Sequence, residues 1–302
     1  MPHEETSMNF TRTAAAALLL ALGAGAHATE NGQTTAAAGA EGFLAGALPP
    51  PGLYGLIYAN HYRADRFNGG DGQALIPGFK VRANVLVGRL VYMSDTLVLG
   101  GQLGAYGVLP LVDLKVEAGG ASGSHTGLGD LEAGPLIAWH HSPQLHTAAA
   151  VVGVLPTGDY DKNRLANTGN HVTTLRGVYV ASYLGESVDA STKLTYSINR
   201  KNDATDYRSG QYLHADWNLG WRVAPTWQIG LQGYLIRQTT DDRMGGATVG
   251  DGFRTRVFAA GPAVRWQASP SGPSLELRAL KESGARYHSS GTSLWLKAVF
   301  PL

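Results

Sequence analysis

Cysteine is absent from the 302 residues, which excludes a disulfide framework and a thiolate metal site. Long hydrophobic runs are also lacking after the N-terminal region, where no segment approaches the ~18 consecutive apolar residues of a membrane helix. Neither sign of charge dominates, because 24 Lys and Arg are balanced by 23 Asp and Glu, so a nucleic-acid partner is not indicated. Glycine is abundant, with 40 residues, and this favours strands joined by tight turns.

The clearest regular pattern lies in residues 188–236, where apolar and polar side chains alternate along three successive segments. In the second segment, for example, Leu213 and Trp217 fall on one face and His214 falls on the other. Each segment is about 11 residues long, enough to cross a bilayer when tilted, whereas strands of a soluble sandwich are shorter, ~5–6 residues. The mean hydropathy of −0.10 agrees with this, since polar lumen residues lower the average of each strand. The pattern therefore predicts transmembrane strands.

The fold class predicted for the whole chain is all-β, a transmembrane antiparallel up-and-down barrel of about 12 strands. The predicted strands are 53–63, 79–92, 97–109, 131–139, 145–155, 171–183, 188–198, 212–223, 227–235, 254–266, 275–280 and 293–300.

Connections between these strands alternate in length, as the short periplasmic turns and longer external loops of outer-membrane barrels do. The long connections are predicted at 64–78, 110–126, 156–170, 199–210, 239–252 and 283–290. The short ones are predicted at Ser94-Asp95, 141–144, 184–187, 224–226 and 268–273. This order places both chain termini in the periplasm.

Three regions follow along the chain. Residues 1–28 have the form of a signal peptide, with Arg12 before an apolar run and small residues before the expected cleavage site. Residues 29–52 are rich in Ala, Gly and Pro and form either a flexible periplasmic leader or a plug in the barrel. Residues 53–302 form the barrel. The expected location is the outer membrane of a Gram-negative bacterium.

Several stretches, mostly in the connections, carry a resemblance to a known family. They are 49–54, Gly127-Leu128-Gly129-Asp130-Leu131, 155–160, 164–167, Asn199, 202–210, 238–242 and Gly261-Pro262. Together they resemble the outer-membrane transporters named for the meta-pathway of phenol degradation, the phenol meta-pathway degradation-like family. The resemblance implies a barrel that admits small hydrophobic or aromatic compounds by passive uptake, linked to phenol-type degradation.

The predicted inner face supplies candidate substrate-binding residues. If the tryptophans face lipid, the side chains that point into the lumen are Lys193, Tyr212, His214, Asp216, Asn218, Arg222, Gln232 and Tyr234. Tyr234 or Tyr212 would hold an aromatic solute, and His214 and Arg222 would hydrogen-bond a hydroxyl or carboxylate. The alternative is that these residues simply pair with one another across the strands.

Proline suggests a further hypothesis about the route of the solute. Pro removes a hydrogen bond from a strand ladder, so Pro135 and Pro262 could open a gap through which solute leaves laterally into the bilayer.

Other residues suggest a metal site or an enzyme. The carboxylates of 159–163 begin like a calcium loop, but Arg164 stands where Gly is needed, so turn capping is favoured and no metal site or cofactor is predicted. A barrel enzyme of the lipase or deacylase type needs Ser and His within hydrogen-bond reach, and Ser209 and His214 are too far apart along one strand. No catalytic residue is predicted. A structural or adhesive surface protein is the third alternative.

The predicted partners follow from the proposed location. They are outer-membrane lipid and lipopolysaccharide, a small hydrophobic or aromatic solute, and the barrel-assembly machinery during biogenesis.

Overall fold

The computed structural model describes residues 34–269 and 272–302. Within these ranges the regular structure consists of sixteen β-strands. They are β1 Gly52–Asn68, β2 Lys80–Val98, β3 Gly101–Ala118, β4 Ala121–Leu128, β5 Leu131–His140, β6 Leu145–Leu155, β7 Thr174–Leu184, β8 Val188–Asn199, β9 Tyr207–Arg208, β10 Tyr212–Ala224, β11 Trp227–Gln238, β12 Arg243–Met244, β13 Ala247–Thr248, β14 Arg256–Gln267, β15 Ser274–Arg286 and β16 His288–Pro301. The predicted signal peptide lies outside the described residues. No described helix is long and apolar enough to span a membrane.

Antiparallel pairing closes the strands into a barrel. β1 pairs with β2 on one side and with β16 on the other. β4 and β5 share a single position beside β3, because the strand breaks at Gly129 and Asp130. The short strands β9, β12 and β13 form a separate sheet. Twelve positions therefore make up the barrel in the described part of the chain, which confirms the predicted fold class.

The two ends of the barrel differ. At one end of the barrel β1 begins, β16 finishes and the short hairpin turns lie; we call this the terminal end. The other end, here the loop end, carries the long connections 69–79, 156–173, 200–211 and 239–255.

The predicted alternation of loop lengths is wrong at two connections of the loop end. Residues 110–126 are not a loop, because β3 and β4 continue to a tight turn at Gly119 and Gly120, whose φ angles are +57° and +87°. Residues 283–290 likewise form a hairpin, with Tyr287 at its turn. Both hairpins carry polar side chains on their outer face, which removes the apolar alternation that marks a membrane strand.

A third correction concerns the first short turn. Ser94 and Asp95 belong to β2, and the turn lies at Leu99 and Gly100. The register between β2 and β3 shifts between Met93 and Leu97, at these polar residues. Polar residues inside a strand thus resembled a turn.

An apolar belt covers the outer surface of the barrel. Large apolar side chains are partly exposed there on neighbouring strands, namely Leu53, Ile57, Leu86, Leu90, Leu219, Trp221, Trp227, Ile229, Leu275, Leu277, Leu294 and Leu296. The alternate residues on the same strands point inward and are mostly buried, as Trp295 and Lys297 show at 5% and 6% exposure. A barrel with an apolar outside and a polar inside is the arrangement that a bilayer requires.

Candidate functional site in the lumen

One side of the lumen, the polar wall, is lined by hydrogen-bonding side chains from β8, β10, β11, β15 and β16. Its members are Asp189, Ser191, Lys193, Thr195, His214, Asp216, Asn218, Gln228, Gln232, Glu276, Arg278, Glu282 and Lys297. These groups form chains of contacts: Asn218 Nδ2 donates to Asp189 Oδ2 at 3.0 Å, and Gln232 Nε2 donates to Asn218 Oδ1 at 2.9 Å. His214 Nε2 lies 2.8 Å from Asp216 Oδ1. Buried polar groups that satisfy one another in this way hold a fixed arrangement.

The opposite side, the apolar wall, is built by β2, β3, β5, β6 and β7. Its inward side chains pack into one cluster consisting of Val91, Met93, Tyr106, Leu136, Ala138, Ala148, Val152 and Val178. Over these eight residues the strands are apolar on both faces, toward lipid and toward the lumen. The same strands also carry inward polar side chains, namely Arg89, Glu132, Arg176 and Ser182, so the polar interior typical of transmembrane barrels borders the cluster.

Residues 34–48 run between the two walls. Gly39 and Glu41 donate their backbone N–H groups to the carboxylate of Asp216, at 2.8 and 3.2 Å. Further along, the Gly46 N–H donates to Ser182 Oγ at 2.8 Å. Leu48 packs against the apolar wall. The small residues of this segment are suited to its narrow path, since a Cβ on Gly42 would lie 2.0 Å from a Glu276 oxygen.

Glu41 is the electrostatic centre of this segment. Its carboxylate lies 2.5 Å from Arg89 Nη1, 3.5 Å from Lys193 Nζ and 3.4 Å from Lys297 Nζ. These cations come from β2, β8 and β16, so one carboxylate connects three separate parts of the barrel. Breaking such a buried cluster by removing one charge typically costs about 3–5 kcal/mol.

A glycine notch receives the aromatic ring of Phe43. The ring is buried beside Gly220 and Gly230, at 3% exposure. A Cβ at either glycine would approach the ring to 2.7 or 2.9 Å, which is closer than van der Waals contact allows. Glycine at both positions therefore fixes where the segment lies along the polar wall.

Two small cavities lie beside the segment in the described part of the barrel. One cavity of about 60 Å³ lies among Arg89, Tyr106, Val178, Thr195 and His214, and a second of about 30 Å³ lies nearer Leu48. Liquid water occupies about 30 Å³ per molecule, so these cavities have room for one or two waters. An aromatic molecule is larger than either of these cavities.

The loop end is closed by a second set of contacts, the loop lid, formed by 156–173, 200–211 and 239–255. Asp130 anchors the first of these connections, because its carboxylate accepts the N–H groups of Gly158 at 2.9 Å and Asn170 at 2.8 Å.

Asp242 anchors the other two connections of the loop lid and is fully buried. It accepts hydrogen bonds from Tyr207 Oη at 2.5 Å, Gly210 N at 2.7 Å and Gln238 Nε2 at 2.7 Å. The loop motifs of the sequence thus serve as structural anchors of the lid.

The segment that resembled a calcium loop also belongs to the loop lid. Asp159 pairs with Arg164 at 3.0 Å and His125 at 2.5 Å, and Asp161 Oδ1 accepts the Asn163 N–H at 2.9 Å. The hydrogen bonds from Arg164 and His125 lower the pKa of Asp159 below its ordinary value. These carboxylates cap turns and form ion pairs, as the favoured interpretation of the sequence predicts.

Seven of the eight predicted lumen residues lie on the polar wall or next to it. Tyr212, His214, Asp216, Asn218, Gln232 and Tyr234 are buried, and Lys193 reaches Glu41. Arg222 differs, because it is exposed at the terminal end, where Nη1 donates to the Glu186 carbonyl at 3.2 Å. Whether these residues bind a solute stays a prediction.

The sequence reasoning missed the apolar wall and the ion cluster of Glu41. A signal for the wall exists in 148–152, the run Ala-Ala-Ala-Val-Val, where alternation is lost because both faces of β6 are apolar. The signal for the cluster is that Glu41 is the lone charged residue in residues 34–48.

A closed barrel with an apolar belt, a polar wall and an internal segment defines the class of transmembrane β-barrels. The chain belongs to the family described as "Putative MetA-pathway of phenol degradation", which matches residues 64–298. The resemblance carried by the loop motifs is thereby confirmed.

Solved structures agree on the fold. The COG4313 outer membrane channel from Pseudomonas putida F1 has a TM-score of 0.75 at 18% identity, covering 85% of this chain and 97% of that one. This likeness establishes a shared fold. Weaker likeness is found to the CymD monoaromatic hydrocarbon channel, with a TM-score of 0.44 at 9% identity over 92% of this chain and 98% of that one. No curated protein sequence matches the chain.

Proposed function

We propose that the protein is a passive outer-membrane channel for small hydrophobic or aromatic compounds of the kind consumed by phenol-type degradation. The observation that carries this proposal is the apolar wall. A general diffusion pore has a water-filled polar interior, whereas eight apolar or aromatic side chains here face the lumen as one cluster. Such a surface lowers the barrier for an apolar solute that the lipopolysaccharide layer resists.

Polar groups next to the apolar wall would orient the solute. Within the apolar cluster the Tyr106 side chain carries a hydroxyl, which donates to Glu132 Oε1 at 2.8 Å. Arg89 lies over the Tyr106 ring at 4.4 Å, and together with His214 it borders the larger cavity. A phenolic hydroxyl placed there would meet donors and acceptors while its ring contacts Val178. Pockets that combine apolar area with few polar groups bind small ligands in this way.

We further propose that residues 29–52 act as a plug of the barrel formed by 53–302. The hydrogen bonds to Asp216 and Ser182 and the ion cluster of Glu41 support a seated segment over a flexible leader. Solute passage then requires displacement of the plug, of the loop lid, or of a strand. The signal peptide at 1–28 remains the prediction of the sequence.

The lateral route has a structural counterpart. Between β14 and β15 the paired residues include Ala260 with Lys281 and Ala263 with Arg278, with no pairs between them, and Pro262 lies in this gap. A similar gap between β5 and β6 surrounds Pro135. The interrupted pairing weakens these two seams, where strands could part.

The orientation and partners follow from the same proposal. The terminal end would face the periplasm and the loop end the exterior, the apolar belt would contact lipid, and lipopolysaccharide would surround the loop end. The barrel-assembly machinery would insert the chain.

The experiment that tests the proposal measures solute influx into liposomes that hold the purified, folded protein. Phenol-like and benzoate-like compounds are compared with sugars of similar size, and protein-free liposomes give the background. We expect preferential passage of the aromatic compounds, reduced in Tyr234→Ala, while Arg222→Ala tests the exposed rim. Equal passage of sugars would make the protein a general pore. No passage through a demonstrably folded barrel would contradict the proposal.

A further inference from the structure

Cations stand directly opposite one another on the outer surface of the barrel, toward the loop end. Arg63 of β1 pairs in register with Arg82 of β2, and Arg82 pairs with Lys115 of β3. All three side chains are exposed. Like charges placed directly across neighbouring strands repel one another, so this first cation row destabilises the isolated barrel.

A second cation row lies on β11, β14 and β15, and β16 separates it from the first row. Arg237 of β11 pairs in register with Arg256 of β14, which pairs with Arg286 of β15. All three are exposed. No carboxylate of the described residues lies within salt-bridge distance of these arginines, or of Arg63 and Arg82. In the first row, Lys115 does pair with Glu117, at 2.9 Å.

Both rows lie where the apolar belt ends. On β11 the outward residue before Arg237 is Leu235, and on β14 the outward residue next to Arg256 is Phe258.

Below the first row, a chain of hydrogen bonds marks the same boundary. His61 Nδ1 lies 2.7 Å from Asn84 Oδ1, and Asn84 Nδ2 donates to Asp113 at 2.9 Å. Asp113 also accepts from Thr126 at 3.1 Å, so each of its two carboxylate oxygens accepts one hydrogen bond. An open depression of about 690 Å³ extends beside the first row. It is lined by Lys80 and Lys281 and by the acidic residues Asp65, Glu117 and Glu282.

We propose that the two cation rows bind the phosphates of a phosphorylated glycolipid of the outer leaflet, of the lipopolysaccharide kind. This inference rests on the proposed outer-membrane orientation. Guanidinium groups bind phosphate through paired, charge-assisted hydrogen bonds, and the bound anion would cancel the repulsion within each row. The acyl chains of such a lipid would lie on the leucines of the apolar belt just below. A free phosphate ion would gain no contact with that belt, which favours the lipid.

The test measures lipid binding to the purified full-length protein in detergent by native mass spectrometry and thermal unfolding. The probes are a diphosphorylated lipid A, its dephosphorylated form and inorganic phosphate. We expect the diphosphorylated lipid to bind and to raise the unfolding temperature. The double variants Arg63→Gln/Arg82→Gln and Arg237→Gln/Arg256→Gln should each bind it about tenfold more weakly, since charged hydrogen bonds are lost. Lys162→Gln, an exposed loop cation outside both rows, should bind as the unaltered protein does.

Several results would overturn the proposal. They are equal binding of the dephosphorylated lipid, an equal loss in Lys162→Gln, or stabilisation by inorganic phosphate as strong as by the lipid. Because neither readout involves solute passage, a barrel that binds the lipid but admits no aromatic compound overturns the transport proposal alone. Without added lipid, each double variant should unfold at the same temperature as the unaltered protein or at a higher one, because repulsion within the row is relieved. A lower unfolding temperature without lipid would contradict the repulsion on which the proposal rests.

Discussion

The two walls of the lumen face each other across residues 34–48 and differ in chemistry. Most groups of the polar wall hydrogen-bond one another, and Asp216 accepts the backbone N–H groups of Gly39 and Glu41. The apolar cluster offers that segment no such partner, although Arg89 and Ser182 of the same strands do contact it. Two small cavities border the apolar cluster. We infer separate tasks from this difference: polar groups fix the internal segment, and the apolar cluster is free to accept a solute.

The largest expected effect comes from removing the charge that ties the segment to the barrel. Glu41→Gln leaves Arg89, Lys193 and Lys297 without their shared carboxylate, a change that typically costs about 3–5 kcal/mol. We expect the segment to detach and single-channel ion conductance in planar bilayers to rise severalfold. Glu186→Gln, at an exposed position of the terminal end, is the matched control. Unchanged conductance in Glu41→Gln would show that the segment does not obstruct the lumen.

The boundary between the walls permits a more symmetrical test. Val178 and Thr195 are direct cross-strand partners, and both line the larger cavity. Val178→Thr adds a hydroxyl to the apolar wall, and a buried hydroxyl without a partner costs about 1–3 kcal/mol. We expect slower influx of aromatic compounds, by up to about tenfold.

The reciprocal variant Thr195→Val should leave influx unchanged or faster, because the Thr195 hydroxyl has no partner within the described residues. If Val178→Thr and Thr195→Val change aromatic influx equally, the two walls do not differ in their effect on solute passage.

A smaller effect is expected at the seam between β14 and β15, where Pro262 lies on the outer face. Pro262→Ala would restore a donor to the β14–β15 ladder, and one hydrogen bond contributes about 0.5–1.5 kcal/mol net. Aromatic influx should fall severalfold, with heat-resistant folding and membrane assembly unaltered. Pro225→Ala, in the short β10–β11 turn, serves as the control. Unchanged aromatic influx in Pro262→Ala would contradict the lateral route.

The smallest effect concerns the loop lid and its response to pH. The pKa of Asp159 is lowered by Arg164 and His125, so the stabilisation from this carboxylate is present above its ordinary pKa and is lost as pH falls through the lowered value. Hydrogen-exchange protection of 156–173, corrected for intrinsic rates, should be constant from pH 7 to 5 and fall below about pH 4. Asp159→Asn should lower protection already at pH 7. Asp203→Asn, at a more exposed position, should not.

Much of the barrel could be predicted because the bilayer imposes a period of two. β6 has the predicted bounds Leu145–Leu155, and β8, β10 and β11 differ from prediction by a few residues at their ends. The errors arose where the bilayer no longer acts on the sequence. Hairpins that extend beyond the membrane, as at 110–126, lose their apolar face, and their sequence therefore predicts a loop.

The candidate site was predicted only in part, and the cause is again physical. Polar inward residues such as Asp216 and Gln232 stand out against an apolar outer face, whereas Val152 does not. The Ala- and Gly-rich composition of 34–48 is compatible with a flexible leader. It is equally compatible with a segment that passes close to Glu276 and inserts Phe43 beside Gly220 and Gly230. Composition alone does not separate these cases, since small residues both resist packing in isolation and permit close approach.

The ion cluster of Glu41 also constrains the order of assembly. Its contacts with Arg89 and Lys297 span 48 and 256 residues of sequence, and the second exists only when β16 is in place beside β1. Contacts between residues so distant in sequence form slowly, because a long loop must close first. Residues 34–48 are synthesised before every strand of the barrel, yet they reach their final position only when the last strand has closed it.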